Sequence, residues 1–169
     1  MNTGFSQPTF IYLSRLVPAR PSSLLRKTGK LVDEMPRLQT LLRRALGIGM
    51  GRRGWRGRVV QLADARAESI GYSHAIVVTE PGYSAHERYQ TIVPIDNLEE
   101  FEPVPQDLQI VDGADWAPTS GRTWHGVLVA IADVHSVFHP RDVHAWIGAV
   151  VDDVTMRRID AALESLFSL

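Results

Sequence analysis

The sequence predicts a mainly β fold with some α structure: a small β-barrel with a C-terminal helix packed on it, preceded by a basic helical extension. Three observations lead to this prediction: short runs of Val and Ile after residue 58, one helical stripe near the C-terminus, and a change of charge near residue 58. Short β-branched runs bounded by Gly, Pro and polar clusters are typical of strands. Many such strands followed by one helix favour a small barrel.

The predicted strands alternate with turn-forming segments along the body of the chain. They cover residues 59–62, 75–79, 89–95, 108–111, 126–132, 135–138 and 146–150. The run 126–132 is almost entirely apolar, which predicts a central buried strand. The polar segment 63–74 is predicted to be a loop. A loop held between rigid strands is where a small barrel would place its chemistry.

Helical periodicity occurs at both ends of the chain. Residues 154–166 carry an apolar stripe that includes Met156, Ile159 and Leu163, and Asp152 or Asp153 is a suitable N-cap. Two basic amphipathic helices are predicted nearer the N-terminus, one over residues 22–32 and one that starts at Pro36 and ends before the glycines that follow Leu46.

The charges divide the chain into two parts. Residues 1–58 hold twelve Lys or Arg and two acidic residues, whereas residues 59–169 hold six Arg and seventeen acidic residues. We therefore expect a basic helical extension with a Gly/Arg linker over residues 1–53 and a barrel domain over residues 54–169. The basic part would either bind nucleic acid or fold back on the acidic body. The arginines expected to contact nucleic acid are Arg52, Arg53, Arg56, Arg58 and Arg66.

Composition excludes several classes of chemistry. The chain has no cysteine, so disulfides, thiolate catalysis and cysteine-based zinc sites are excluded. No apolar run approaches the roughly 18 residues of a membrane span, so we expect a cytoplasmic protein with no membrane partner. His135 and His139 have the spacing of a helical zinc pair. Because they fall on a predicted strand and a turn, we expect no metal site and no cofactor.

Four stretches in the same order resemble a known toxin family. These are the Arg-Gly segment 56–60 before the first strand, the segment 67–78 with Glu68 and Gly71, the strand 91–95, and the C-terminal region 147–166. In them the sequence resembles the PemK/MazF toxins of bacterial type II toxin–antitoxin systems. The resemblance covers about residues 54 to 169.

The resemblance implies an SH3-like barrel that forms a homodimer. It also implies a metal-independent endoribonuclease acting on mRNA, with RNA and an antitoxin-like protein as partners. Such a reaction needs a base for the ribose 2′-hydroxyl, an acid for the leaving 5′-oxygen, and a cation or N–H donors for the charge on the phosphate.

The sequence departs from the family where catalysis is expected. Where the family has Arg in the first loop, this chain has Ser73, and where the family has Pro, it has His74. Other positions of family residues are occupied here by Asp96, Ala130, Ala132 and His135. The phosphate-stabilising guanidinium is therefore missing, and without a replacement cation the rate would fall by about two to three powers of ten. The candidate catalytic residues are His74, Glu68, Ser73 and His135. Arg66 or Arg141 would have to supply the cation from a loop.

Two other functions remain open from the sequence. The chain would be a catalytically degenerate family member that binds nucleic acid or a protein, or a DNA-linked regulator that uses its N-terminal helices. Trp116, Trp124 and Trp146 would stack on bases in an RNA-binding protein. We expect them instead to be core residues or anchors of a dimer interface.

Overall fold

The computed structural model describes residues 35–50, 54–79, 89–100, 102–111, 124–139 and 141–169. The elements are α1 (Met35–Ala45), β1 (Arg58–Leu62), α2 (Asp64–Ile70), β2 (His74–Val77), β3 (Tyr89–Asn97), β4 (Leu108–Ile110), β5 (Val127–Val129), a 3-10 turn (Ile131–Asp133), β6 (His135–Phe138), β7 (Val143–Val150) and α3 (Asp153–Phe167). The predicted helix 22–32, together with Arg52 and Arg53, lies outside the described residues.

All seven strands form one antiparallel sheet in the order β4-β5-β3-β2-β1-β7, with β6 also paired to β3. β5 and β6 lie one after the other along the same side of β3, because β5 pairs with Ile95–Asn97 and β6 with Tyr89–Ile92. Within the described residues, no pairing joins the two ends of this order. The predicted mainly β class with a terminal helix is confirmed, and the sheet stays open.

The two sides of the sheet carry two separate apolar clusters, because side chains alternate along a strand. One side packs on α1 and α3, and we call it the core face: Leu46, Val59, Ile76, Val93, Ile95, Val129, Met156, Ile159 and Leu163. We call the other side the tryptophan face: Val60, Leu62, Ala75, Val77, Ile92, Val137, Val143, Trp55, Ala67, Ile70 and Trp146.

The predicted strand 126–132 is wrong in its second half. β5 ends at Val129 and a 3-10 turn follows. Val129 lies opposite Ile95, and His135 lies opposite Ile92. The five residues between Val129 and His135 therefore face only the two residues between Ile92 and Ile95 on β3. The excess is taken up by the turn. A uniformly apolar run does not show where such a bulge falls, since every position of the run is equally suited to burial.

The predicted loop 63–74 is also wrong in part, since it contains the two-turn helix α2. Ala63 precedes this helix and provides no side-chain cap, so the usual start signal is missing. The helix ends at Gly71, whose φ of 83° places it in the left-handed region. The backbone N–H of Ala63 donates to the carbonyl of Asp142 at 3.0 Å, which fixes the start of α2 beside β7.

Helix α1 packs against the body. Leu46, just after the helix, is fully buried in the cluster of the core face. The guanidinium of Arg43 pairs with Glu164 of α3, and the Gly49 N–H donates to Asp160 at 2.9 Å. The described part of the basic segment is therefore folded against the acidic body. No helix among the described residues is long and apolar enough to span a membrane.

Candidate active site

His74 is the first residue of β2 and lies on the core face, and Ser73 directly precedes it. His74 is buried, and its Nδ1 lies 2.9 Å from the hydroxyl oxygen of Ser73. The His74 ring meets the ring of Trp124 edge-on, with 5.8 Å between centroids. His74 lies opposite Ile95 of β3, whose side chain belongs to the core face. The two candidate residues therefore contact each other and are embedded in packing.

His135 lies on the opposite side of the sheet. It is paired with Ile92, three positions from Ile95 along β3, and Ile92 belongs to the tryptophan face. Positions an odd number apart on a strand face opposite ways. The structure therefore separates His74 from His135, although the sequence led us to expect both near one loop. Glu68 is exposed on α2.

Arg66 is the predicted residue that the structure brings to His135. It lies on α2, half-buried, and its Nη2 donates to the carbonyl oxygen of Ser136 at 3.1 Å. Its Nε is buried and has no hydrogen-bond partner within the described part of the chain. Since Ser136 follows His135 on β6, the guanidinium of Arg66 lies beside the imidazole. Ser73 cannot supply a positive charge, and Arg66 supplies one on the tryptophan face instead.

The environment of His135 keeps its imidazole neutral. Burial lowers the pKa of His135 below its usual value, and the nearby charge of Arg66 lowers this pKa further. Asp133 acts in the opposite direction. The Nδ1 atom of His135 is buried and has no hydrogen-bond partner among the described residues. A neutral imidazole beside a fixed cation can accept a proton near neutral pH.

Tyr72 and Asp133 form a contact that the sequence analysis did not predict. The phenol of Tyr72 donates to Asp133 Oδ2 at 2.7 Å, which joins the segment after α2 to the turn before β6. Burial raises the pKa of Tyr72, as does this hydrogen bond to Asp133. The phenol therefore stays protonated and holds Asp133 in place. The two residues are 61 positions apart, and no motif links them.

A cavity of about 260 Å³ lies beside Arg66, between α2 and the turn that leads into β7. Its lining consists of Ala63, Ala65, Arg66, Ser69, Arg141 and Asp142. The Nε of Arg141 donates to Asp142 at 2.7 Å. The two guanidinium groups and the hydroxyl of Ser69 can donate hydrogen bonds to a single anionic group such as a phosphodiester, and Asp142 is paired with Arg141.

Of the other arginines expected at nucleic acid, the two that the structure describes, Arg56 and Arg58, are not among the residues that line this cavity. Arg56 is fully buried, with its guanidinium bound to Asp160, so its side chain does not reach the surface. Arg58 is exposed, and its guanidinium carbon lies 5.0 Å from the ring centroid of Trp55. Within the described segments, no group of three or more His, Asp or Glu side chains could hold a metal ion.

The chain thus forms one open antiparallel sheet with a bulge between β5 and β6 and a helix after β7. No protein-family model matches the sequence, and no curated protein matches it. Among solved structures, an endoribonuclease from a mycobacterial species is 14% identical, with a TM-score of 0.50 over 70% of this chain and 95% of the other. The MazE–MazF complex of Deinococcus radiodurans is 13% identical, with a TM-score of 0.50 over 70% of this chain and 98% of the other. The chain thus has the MazF-like fold that its motifs predicted.

Proposed function

We propose that this protein is a MazF-like toxin that cleaves RNA without a metal ion, using Arg66 and His135. The observation that carries the proposal is the position of the Arg66 guanidinium, bound to the backbone of Ser136 next to His135. This pair supplies a cation and a titratable base on one face. It replaces the arginine that is absent at Ser73.

The reaction needs few groups. The neutral imidazole of His135 takes the proton of the ribose 2′-hydroxyl, and the 2′-oxygen attacks the adjacent phosphorus. The phosphorus–5′-oxygen bond breaks, and the imidazolium returns the proton to the leaving 5′-oxygen. The products are a 2′,3′-cyclic phosphate and a 5′-hydroxyl. Arg66 stabilises the extra negative charge on the phosphate oxygens between these steps.

The assembly and location are part of the same proposal. One of the structural relatives is a MazE–MazF complex. We propose that this chain likewise forms a homodimer, is held inactive by an antitoxin-like protein, and acts on mRNA in the cytoplasm.

The first prediction is that Arg66→Met and His135→Gln each lower RNA cleavage by about 100- to 1,000-fold. The measurement is the cleavage rate of a fluorescently labelled single-stranded RNA. Because the charge of Arg66 lowers the pKa of His135, Arg66→Met should also shift the acidic limb of the pH–rate profile to higher pH.

The matched control is Arg157→Met, which removes the same charge from an exposed position of α3. It should leave the rate and the pH profile unchanged. Cleavage that persists in both site variants would contradict the proposal. If Arg66→Met lowers the cleavage rate but the acidic limb of the remaining activity stays at the same pH, the base is a group other than His135.

A second candidate function is a binding module without catalytic activity. It is favoured by the burial of His74 against Ser73 and by the exposure of Glu68. In that case the cavity would hold a phosphate without cutting the chain. RNA binding that Arg66→Met weakens, with no cleavage by the wild type, would support this function.

A further inference from the structure

An aromatic stack lies on the tryptophan face, on the side of the sheet opposite His74. The rings of Trp55 and Trp146 are stacked, with 4.0 Å between centroids and an angle of 28°. His139 joins them, with its centroid 5.5 Å from Trp146 and 6.2 Å from Trp55. All three side chains are partly exposed. The aromatic stack is therefore a surface feature built from the chain before β1, the chain after β6, and β7.

One cation contacts the aromatic stack directly, and two more line the cavity beside α2. The guanidinium of Arg58 lies over the ring of Trp55. Trp55 and Trp146 pack in the same cluster as Ala67 and Ile70 of α2, the helix that carries Arg66. Arg141, two positions after His139, lines the cavity together with Arg66. The aromatic stack and the cavity thus both adjoin α2.

These charges decide between two occupants of the aromatic stack. In a two-fold symmetric dimer this patch would contact the same patch of the second subunit. The arginines of one patch would then lie close to the arginines of the other. Among the described residues that line the cavity, the one carboxylate, Asp142, is already bound by Arg141. An anionic polymer with flat bases satisfies both the cations and the aromatic faces.

We propose that Trp55, Trp146 and His139 form a nucleobase subsite, which stacks on a base adjacent to the phosphate held by Arg66 and Arg141. The proposal rests on the proposed function for its ligand, single-stranded RNA. Stacking needs only the π-face of a base, so this subsite strengthens binding with little preference for sequence. Removal of one ring should weaken base-dependent binding by about tenfold.

The experiment compares two oligomers that the protein cannot cut. One is a short 2′-methoxy RNA, and the other is a 2′-methoxy ribose–phosphate chain of equal length without bases. Fluorescence anisotropy gives the dissociation constant of each. The full chain should bind the base-bearing oligomer about tenfold more tightly. Trp146→Ala should abolish this difference, whereas Trp146→Phe should keep most of it.

His139→Ala is a second variant, placed at the end of the turn after β6. It should reduce the difference between the oligomers even if Trp146→Ala proves unfolded by circular dichroism. Equal binding of the two oligomers by the wild type, or binding of neither, would overturn the subsite. A Trp146→Ala protein that becomes monomeric and keeps the base preference would assign the aromatic stack to a subunit interface.

The cleavage assay separates the two proposals. Base-dependent binding that Trp146→Ala removes, in a protein that cuts no RNA, would support the subsite and contradict the endoribonuclease. Cleavage that depends on Arg66, in a protein that binds both oligomers equally, would support the endoribonuclease and contradict the subsite.

Discussion

A single arginine side chain ties three parts of the fold together. The Arg56 Nη1 donates to the carbonyl oxygen of Leu46 at 2.7 Å and to that of Val78, and its Nη2 pairs with Asp160 of α3. The second carboxylate oxygen of Asp160 accepts the N–H of Gly49. Arg56 is only 1% exposed, so this ion pair is removed from solvent. It connects the segment after α1, the end of β2, and α3.

We predict that Arg56→Met strongly destabilises the protein, by about 3–5 kcal/mol, because Asp160 is left buried without its cation. Urea denaturation followed by circular dichroism measures the free energy of unfolding. Arg157→Met, at an exposed position, is the control and should change stability by no more than about 0.5 kcal/mol. A stable Arg56→Met protein with weakened RNA binding would instead support the nucleic-acid role expected from the sequence.

At the level of single residues, the sequence identified the types of side chain but not their partners. Arg66 and His135 were both candidates, as a possible cation and a possible base. Their proximity depends on the register between β3 and β6, which the bulge after Val129 sets. The same register separates His135 from His74. Arg56 lies in a run of basic residues, which are mostly exposed in proteins, and residue type alone does not show that this one is buried.

At the level of elements, α3 begins with the N-cap that the sequence predicted. The Oδ1 of Asp152 accepts the Thr155 N–H at 2.8 Å, and its Oδ2 accepts the Thr155 hydroxyl at 2.7 Å. These two hydrogen bonds to Thr155 lower the pKa of Asp152, because they favour the charged carboxylate. The local rule was sufficient here because a cap depends on only the few residues that follow it.

We predict that Asp152→Ala lowers the free energy of unfolding by about 0.5–2 kcal/mol at pH 7. The folded-state pKa is below the unfolded value of about 3.9, so the charge-dependent part of this stabilisation is complete above the unfolded pKa. It is lost as the pH falls through the folded-state pKa. The difference between wild type and variant should therefore shrink in acid. Chemical denaturation at several pH values between 7 and 3 measures it.

Asp152→Asn is the matched control for this prediction. Its amide oxygen can still accept the Thr155 N–H, so most of the stability at pH 7 should remain. Because the amide does not titrate, the acid-dependent loss at this position should disappear. An Asp152→Ala penalty that stays constant down to pH 3 would contradict a charged cap.

The elements most easily predicted are those with local signals. The β-branched runs predict the bounds of β1 and β6, and one helical stripe predicts α3. Helix α2 was not predicted because it lacks a side-chain cap and has only two apolar positions, Ala67 and Ile70, that pack on the sheet. Its position depends on the distant backbone contact with Asp142.

At the level of the whole molecule, the charge division in the sequence does not coincide with a division in packing. The described residues before position 50 contribute Leu42, Leu46 and Ile48 to the cluster of the core face. The ion pair between Arg43 and Glu164 is exposed, so it adds little to stability. Apolar burial therefore supplies most of the attachment. A deletion of residues 1–49 would remove core side chains together with positive charge.

We predict that Leu46→Ala lowers the free energy of unfolding by about 2–5 kcal/mol, because it leaves a cavity in the core shared by α1, the sheet and α3. Unfolding should remain a single transition, detected together by far-ultraviolet circular dichroism and by tryptophan fluorescence. Leu41→Ala, on the same segment but 37% exposed, is the control and should cost less than about 1 kcal/mol. If α1 were an independent extension, Leu46→Ala would leave the transition of the sheet unchanged and the two probes would report different midpoints.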